Sequence, residues 1–319
     1  MIQKMNYRIV IIFILLILGC NSRTLTEYVL NEKDLVPEGI DYSKKKDAFY
    51  LTSVAKSKIV EVDRKSGKQK DFIREQEFGY TPGVGIYVDE RRNLLHAIGG
   101  YYRYKDSLSS LFTFDINTKK LLKRYDVTDK GEHFLNDLIQ DAKGNLYLTD
   151  SKDSSIYLLK YEADSLELFY RSSKIEFPNG IAISDDNTKL YIASFSKGVR
   201  TLDISTKRIL NKPDTLGISQ GIDGLEFYKG HLYAIQNGVR ANTFNFRKLI
   251  LDPTQEKITN VKIIASHTPK LDVPLTFCLV ENEAVVIANS NLQYLNQETF
   301  NFVESDTIQK TRLLVYPIE

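Results

Sequence analysis

Four side chains bearing oxygen, Glu38, Asn136, Asn179 and Asp223, each stand second in a short motif that precedes an apolar run. The motifs are Pro37-Glu38-Gly39-Ile40-Asp41, Leu135-Asn136-Asp137-Leu138-Ile139, Pro178-Asn179-Gly180-Ile181-Ala182 and Ile222-Asp223-Gly224-Leu225-Glu226. Two carboxylates and two amides brought to one point, with no basic residue at the equivalent positions, would repel unless a cation lay among them. Oxygen donors without His or Cys suit a hard ion, and Ca2+ tolerates an irregular oxygen shell better than Mg2+ does. Mg2+ and Mn2+ accept the same donors, so the sequence leaves all three open, with Ca2+ first. Taken singly, Asx-Gly and Glu-Gly are also common turn dipeptides. The argument for a metal site rests on their shared register.

A fold that gathers residues so far apart in sequence must repeat. Two further openings, Gly83-Val84-Gly85-Ile86-Tyr87 and the weaker Pro274-Leu275-Thr276-Phe277-Cys278, bring the total to six, separated by steps of 43 to 52 residues. Each opening leads into short runs rich in Val, Ile, Tyr, Phe and Leu, broken by polar turns such as Lys143-Gly144-Asn145 and Lys229-Gly230-His231. No long segment after residue 35 has helical periodicity. Periods of this size with about four short strands each predict an all-β, six-bladed β-propeller. In a propeller the innermost strands run along the central axis, so their starts converge at one end of it. Glycine after the second motif residue in blades one, two, four and five fits close backbone approach there.

Composition agrees with a folded domain and narrows the partners. Of 319 residues 42% are hydrophobic, and 43 basic residues against 41 acidic ones leave a formal charge of +2, which gives no reason to expect nucleic acid. The N-terminus carries Lys4 and Arg8, the apolar run Ile9 to Leu18, and then Gly19-Cys20. That order reads as an export signal, and Ile17-Leu18-Gly19-Cys20 resembles a bacterial lipobox. The expected organisation is a lipoprotein signal peptide over residues 1–19, a tether and closing strand over 20–34, and the propeller over 35–319. Lipid on Cys20 would hold the protein to a membrane, as an exported bacterial lipoprotein of the outer membrane or cell surface. Cys278, the other cysteine, lies in an apolar run and reads as a buried small hydrophobe. The run from residues 25 to 30 and the final run Thr311 to Pro317 read as strands that complete the last blade and close the ring.

Pro37-Glu38-Gly39, Asn136-Asp137, Pro178-Asn179-Gly180 and Asp223-Gly224, in this order and at these separations, resemble the metal-binding elements of the regucalcin/gluconolactonase family, to which paraoxonase-like six-bladed propellers are more distantly related. The resemblance spans the whole mature chain. It implies a calcium ion at the channel mouth held by Glu38, Asn136, Asn179 and Asp223, and hydrolysis of a lactone or, in some members, of phosphoester-type substrates. Gluconolactonase-like members carry an Arg two residues before the Asn of the third-blade motif, where this chain has Phe134. The resemblance therefore does not carry a sugar specificity with it.

For catalysis the resemblance implies Asp223 as the general base. His133, three residues before Asn136, is the alternative, since its ordinary pKa suits proton transfer near neutrality. His96, His231 and His267 show no metal-ligand spacing, and Gly-x-Ser-x-Gly, Walker and dinucleotide motifs are absent. Asn237-Gly238 and Asn289-Ser290 read first as turns. The sequence thus predicts a calcium-dependent, lactonase-like hydrolase of a small-molecule substrate. The rival is a propeller that binds a ligand or protein and keeps the axial metal as a brace, for which the Tyr-rich insertion Gly99 to Ser110 offers binding anchors.

Overall fold

The computed structural model describes residues 26–102, 108–238, 244–266, 268–296, 302–303 and 306–319. Six antiparallel sheets stand around one axis. From the axis outward, blade one runs Pro37–Ser43, Ala48–Ser53, Ile59–Asp63 and Gln69–Ile73. Blade two runs Gly83–Asp89, Leu94–Gly99, Ser110–Asp115 and Leu121–Asp126, and blade three Leu135–Gln140, Leu146–Asp150, Ser155–Leu159 and Glu167–Arg171. Blade four has three strands, Pro178–Ile183, Lys189–Ser194 and Gly198–Asp203. Blade five runs Ile222–Tyr228, His231–Gln236, Asn245–Leu251 and Ile258–Ser266. Blade six combines Phe277–Val280, Glu283–Ile287 and Arg312–Pro317 with Glu27–Val29 as its outermost strand.

That last pairing joins the two ends of the chain. Glu27 lies opposite Leu314 and Val29 opposite Arg312, and ion pairs from Arg312 and Lys270 to Glu27 secure the seam. The folded domain therefore begins ahead of residue 35, because Glu27–Val29 supplies a whole strand. Blade four departs from the expected four strands. The Asn211 side chain fills part of the missing one's place, accepting from Thr201 N at 3.0 Å and donating to Val199 O at 2.8 Å, and the backbone beside it supplies the rest through a bridge of Ile209 to Leu202 and a bond from Leu210 N to Thr201 O at 2.8 Å. An amide group has the donor and acceptor spacing of a peptide, so the open edge is satisfied without a further strand.

Strand alternation makes every blade apolar on both faces. Phe49 and Leu51 pack toward blade six, whereas Tyr50 between them packs toward blade two. Six apolar clusters result, one in each gap between neighbouring blades, with Cys278 and Val280 in the gap that closes the ring. Full burial of each such side chain contributes about 1.5–3 kcal/mol, so the ring is held by lateral packing rather than by one central core. The axis is left free for polar groups.

Candidate metal centre at the propeller axis

The residue two before each member of the series 38, 84, 136, 179, 223 and 275 is tied down in the same way in all six blades. Its carbonyl accepts a backbone N–H from just beyond the second strand, one to three residues past its end: Val54 to Val36, Gly100 to Pro82, Ser151 to Phe134, Phe195 to Phe177, Asn237 and Gly238 to Gly221, and Ser290 to Val273. The six openings are thus equivalent in space. In blades one to five a register shift falls just after the first residue of the inner strand, between Pro37 and Ile40, Gly83 and Ile86, Leu135 and Leu138, Pro178 and Ile181, and Ile222 and Leu225. Such a bulge re-aims the side chain it contains. Glu38, Asn136, Asn179 and Asp223 occupy this bulge in four blades, Val84 in a fifth, and Leu275 stands at the equivalent place in the sixth.

Close approach of the inner strands explains the glycines. A Cβ on Gly39 would lie 2.3 Å from Val84 O, one on Gly85 2.5 Å from Asn136 O, and one on Gly180 2.2 Å from Asp223 O. Each glycine thus admits the carbonyl of the next blade's site residue. Hydroxyls fix carbonyls of the same series of residues: Thr276 donates to Glu38 O at 2.5 Å, Thr52 to Val84 O at 2.6 Å, and Thr149 to Asn179 O at 2.8 Å. Val36, Phe177 and Val273, each just ahead of a proline at a blade opening, have positive φ of 46°, 49° and 52°. Residues of these types adopt that conformation at a cost of roughly 1–3 kcal/mol each, so the approach to the axis is held under strain by the rest of the ring.

The side chains arrive with their donors already engaged and one oxygen bare. Asn136 Nδ2 donates to Ser151 Oγ at 3.1 Å, and Asn237 Nδ2 donates to Asp223 Oδ2 at 2.6 Å and to Pro274 O at 2.7 Å. The Asn179 amide lies beside the Asp223 carboxylate and holds its pKa down against burial. What remains buried without a partner is Glu38 Oε2, Asn136 Oδ1, Asn179 Oδ1 and Asp223 Oδ1. Four acceptors from four blades, and no donor for any of them, is the pattern a cation would satisfy. The electrostatics agree. Burial and then the charges of Asp223 and Asp137 hold the Glu38 carboxyl well above its ordinary range, and burial raises Asp223 against the opposing pull of the Asn237 and Asn179 amides. Two carboxyls this close resist ionising together until a positive charge joins them.

Below these oxygens the channel holds a cavity of about 120 Å3 bordered by Glu38, Asp41, Asn136, Asp137 and Glu226. Asp41 accepts from Val88 N at 2.6 Å and Asp137 from Ile181 N at 3.1 Å, so each stitches its blade to the next. Burial lifts both carboxyls to about 7.

His133 is not among the residues around that cavity. Its Nδ1 meets Asp150 Oδ2 at 2.7 Å, its ring stands edge-on to Tyr157 at 5.9 Å, and the atom nearest Gly131's missing Cβ is its Nε2, at 3.6 Å. These contacts belong to the second and third strands of blade three and the loop above them. His133, Asp150 and Asp153 present ligand atoms within 4.8 Å of one another, and both carboxylates are already engaged: Asp150 with His133 Nδ1 and Phe134 N, and Asp153 with Arg171, while His133 Nε2 is buried without a partner. Asn237 is the reverse case, a residue with a turn-like sequence that reaches the axis. The only hint in the sequence was its position at the end of a second strand. Ser151, which orients Asn136, gave no hint. Cys20 and His267 lie outside the described residues, as do positions 103–107 of the Tyr-rich insertion.

Comparison with known proteins places this geometry. No curated protein matches the sequence. Among solved structures, a gluconolactonase from Xanthomonas campestris superposes with a TM-score of 0.60 at 14% identity, over 88% of this chain and 86% of that one. A calcium-binding regucalcin from Agrobacterium tumefaciens gives 0.60 at 14% identity, over 93% and 96%. Virginiamycin B lyase from Staphylococcus aureus gives 0.59 at 13% identity, over 92% and 88%. At such identities the likeness shows the fold alone, and a lyase and a gluconolactonase share it. The sequence profile described as SMP-30/Gluconolactonase/LRE-like region matches residues 36–231, which include all four residues of the axial constellation, and the chain belongs to that family.

Proposed function

We propose that the protein is a cation-dependent hydrolase of a small ester or lactone, with Ca2+ as the preferred ion. The observation that carries this reading is the set of four buried, partnerless oxygens on Glu38, Asn136, Asn179 and Asp223 at one register position. Family membership supports the hydrolytic chemistry, and the calcium-binding regucalcin relative supports the ion. A Ca2+ held there would polarise a carbonyl and lower the pKa of a neighbouring water.

The chain's own residues supply the proton handling and the geometry. Asp223, with Oδ2 anchored by Asn237 and Oδ1 turned to the place the ion would take, is the carboxylate beside a water bound there and the acceptor for its proton. Water adds to the carbonyl carbon, the bond to the alcohol oxygen breaks, and the proton taken by Asp223 passes to that leaving oxygen. Asn237 and Ser151 hold Asp223 and Asn136 in place. His133, paired with Asp150, has no part in this scheme.

The reading includes export and lipid attachment at Cys20. Among the described residues no helix is long and apolar enough to cross a membrane. Since the inner strands begin at the axial mouth, antiparallel order brings the chain into Glu27–Val29 from the opposite face, and a tether at Cys20 would leave the mouth turned away from the bilayer.

Thermal melts with Ca2+ and then with excess chelator test the reading. Ca2+ at a hundredfold its Kd stabilises by about 2.7 kcal/mol, a shift of several degrees. The shift should vanish in Asp223→Ala, together with metal-dependent ester or lactone turnover. A Ca2+ shift with no turnover on any ester or lactone would leave a binding propeller with a structural metal. No shift at all would remove the metal from the reading.

A further inference from the structure

Phe134 and Phe177 hold equivalent places, two residues before Asn136 and Asn179, and both carbonyls are fixed by the hydrogen bonds that recur in all six blades. Their rings belong to a continuous row. Tyr102 meets Phe134 edge to face with centroids 5.2 Å apart and Phe177 at 6.2 Å, and Phe177 meets Phe195 at 6.0 Å. The row starts behind Val84, the apolar residue at the site position of blade two, which packs in one cluster with Phe134 and Tyr102. It ends beside the base. A Cβ on Gly238 would lie 2.5 Å from Phe195 Cε2, and Gly238 follows Asn237, whose amide holds Asp223.

Phe134 is buried, while Tyr102, Phe177 and Phe195 keep part of their surface open. An aromatic row with exposed ring area on a rim usually costs solubility and is kept for contact. Phe177 in addition sits at φ 49°, a conformation held by its surroundings. Within the row the Tyr102 phenol is the one hydrogen-bond donor, so the rings themselves offer no match to several sugar hydroxyls; the Lys152 ammonium stands over the Tyr102 ring at 5.4 Å, paired with Glu132.

We propose that Tyr102, Phe134, Phe177 and Phe195 form the wall that receives the apolar half of the substrate, so that the ester or lactone hydrolysed at the axis carries an aryl or comparably flat apolar group rather than a sugar. This rests on the hydrolase reading above. Edge-to-face rings leave their open faces and edges for one more aromatic group, worth about tenfold in binding where a ring pair is completed.

The test measures Ca2+-dependent hydrolysis of phenyl acetate, ethyl acetate and a glucono-lactone by the purified protein and by Phe177→Ala, Phe195→Ala and Phe134→Arg. The aryl ester should lead the sugar lactone by at least about tenfold in kcat/KM, and Phe177→Ala and Phe195→Ala should lower the aryl-to-alkyl ratio by about tenfold through KM, the loss of one ring pair. Phe177→Leu, which keeps apolar bulk, covers the case in which Phe177→Ala fails to fold. A preference for the sugar lactone, or equal losses on aryl and alkyl esters, overturns the wall. If nothing is hydrolysed, the hydrolase reading has failed and the wall is judged by calorimetric binding of benzylphosphonate with Ca2+ present. Weaker binding by Phe177→Ala and Phe195→Ala upholds it, and unchanged or absent binding overturns it.

Discussion

Blade three carries two polar clusters a few residues apart, and they are built on opposite principles. At the axis, Asn136 gives its donor to Ser151 and leaves Oδ1 bare beside the bare oxygens of three other blades. One strand further out, His133 and Asp150 turn on each other, and the backbone N–H groups of Phe134 and Asp153 complete the Asp150 carboxylate. The second cluster contains the residue types usually read as catalytic or metal-binding; its carboxylate is satisfied within the fold, and a single ring nitrogen, His133 Nε2, is left buried without a partner. The first contains ordinary amides and acids whose demands are not met. Unsatisfied acceptors that the surrounding structure holds in place are the better guide to a ligand than the residue types.

The comparison can be broken most forcefully at Asp223. Replacing it with Ala should reduce turnover by roughly 10³-fold, in the range expected for loss of a general base, and should abolish the Ca2+ shift. At Asp150 the expected loss is of stability. Asp150→Ala leaves His133 Nδ1 buried without its partner and should cost about 3 kcal/mol in urea unfolding while retaining the full Ca2+ shift. Loss of Ca2+ binding in that variant would merge the two clusters into one site.

Asn237→Ala sharpens the contrast from the other side. Removing the amide that anchors Asp223 should lower turnover or Ca2+ affinity about 10- to 100-fold, as for other residues that orient a metal ligand, with little change in the melt of the metal-free protein. The smallest effect concerns pH. The hydrogen bond that His133 donates to Asp150 raises the His133 pKa, so the stability it gives is full below about 6.5, the ordinary value, and is lost as pH rises through the folded-state value. Comparing unfolding of the parent and His133→Gln from pH 6 to 9 should show their difference shrinking toward the alkaline end. A difference that widens would mean that His133 is neutral throughout.

The ring itself was legible because propeller blades repeat at the level of single residues. Motifs at 38, 84, 136, 179, 223 and 275 recur since each inner strand meets the same neighbour, and the glycine after most of them marks where one blade's backbone touches the next. The weak sixth opening at Leu275 proved equivalent to the rest through the bond from Ser290 N to Val273 O. The third-strand edge of blade four was not legible. Asn211 mimics a strand with its side chain, and nothing local distinguishes such an Asn from a turn residue.

Position in a repeat also explains why the axial oxygens could be named in advance and their supports could not. Glu38, Asn136, Asn179 and Asp223 share a register, which is a property of sequence. Asn237 and Ser151 share a target, which is a property of space, and each lies about 15 residues from the side chain it holds. His133 shows the same limit from the other side, since a carboxylate 17 residues away decides that it faces Asp150. Residue type and period determined the six blades and the converging starts of their inner strands, because backbone geometry repeats wherever the pattern does. The tertiary structure alone decided which atoms end without a partner, because hydrogen bonds are settled by distance and burial among residues that the sequence keeps apart.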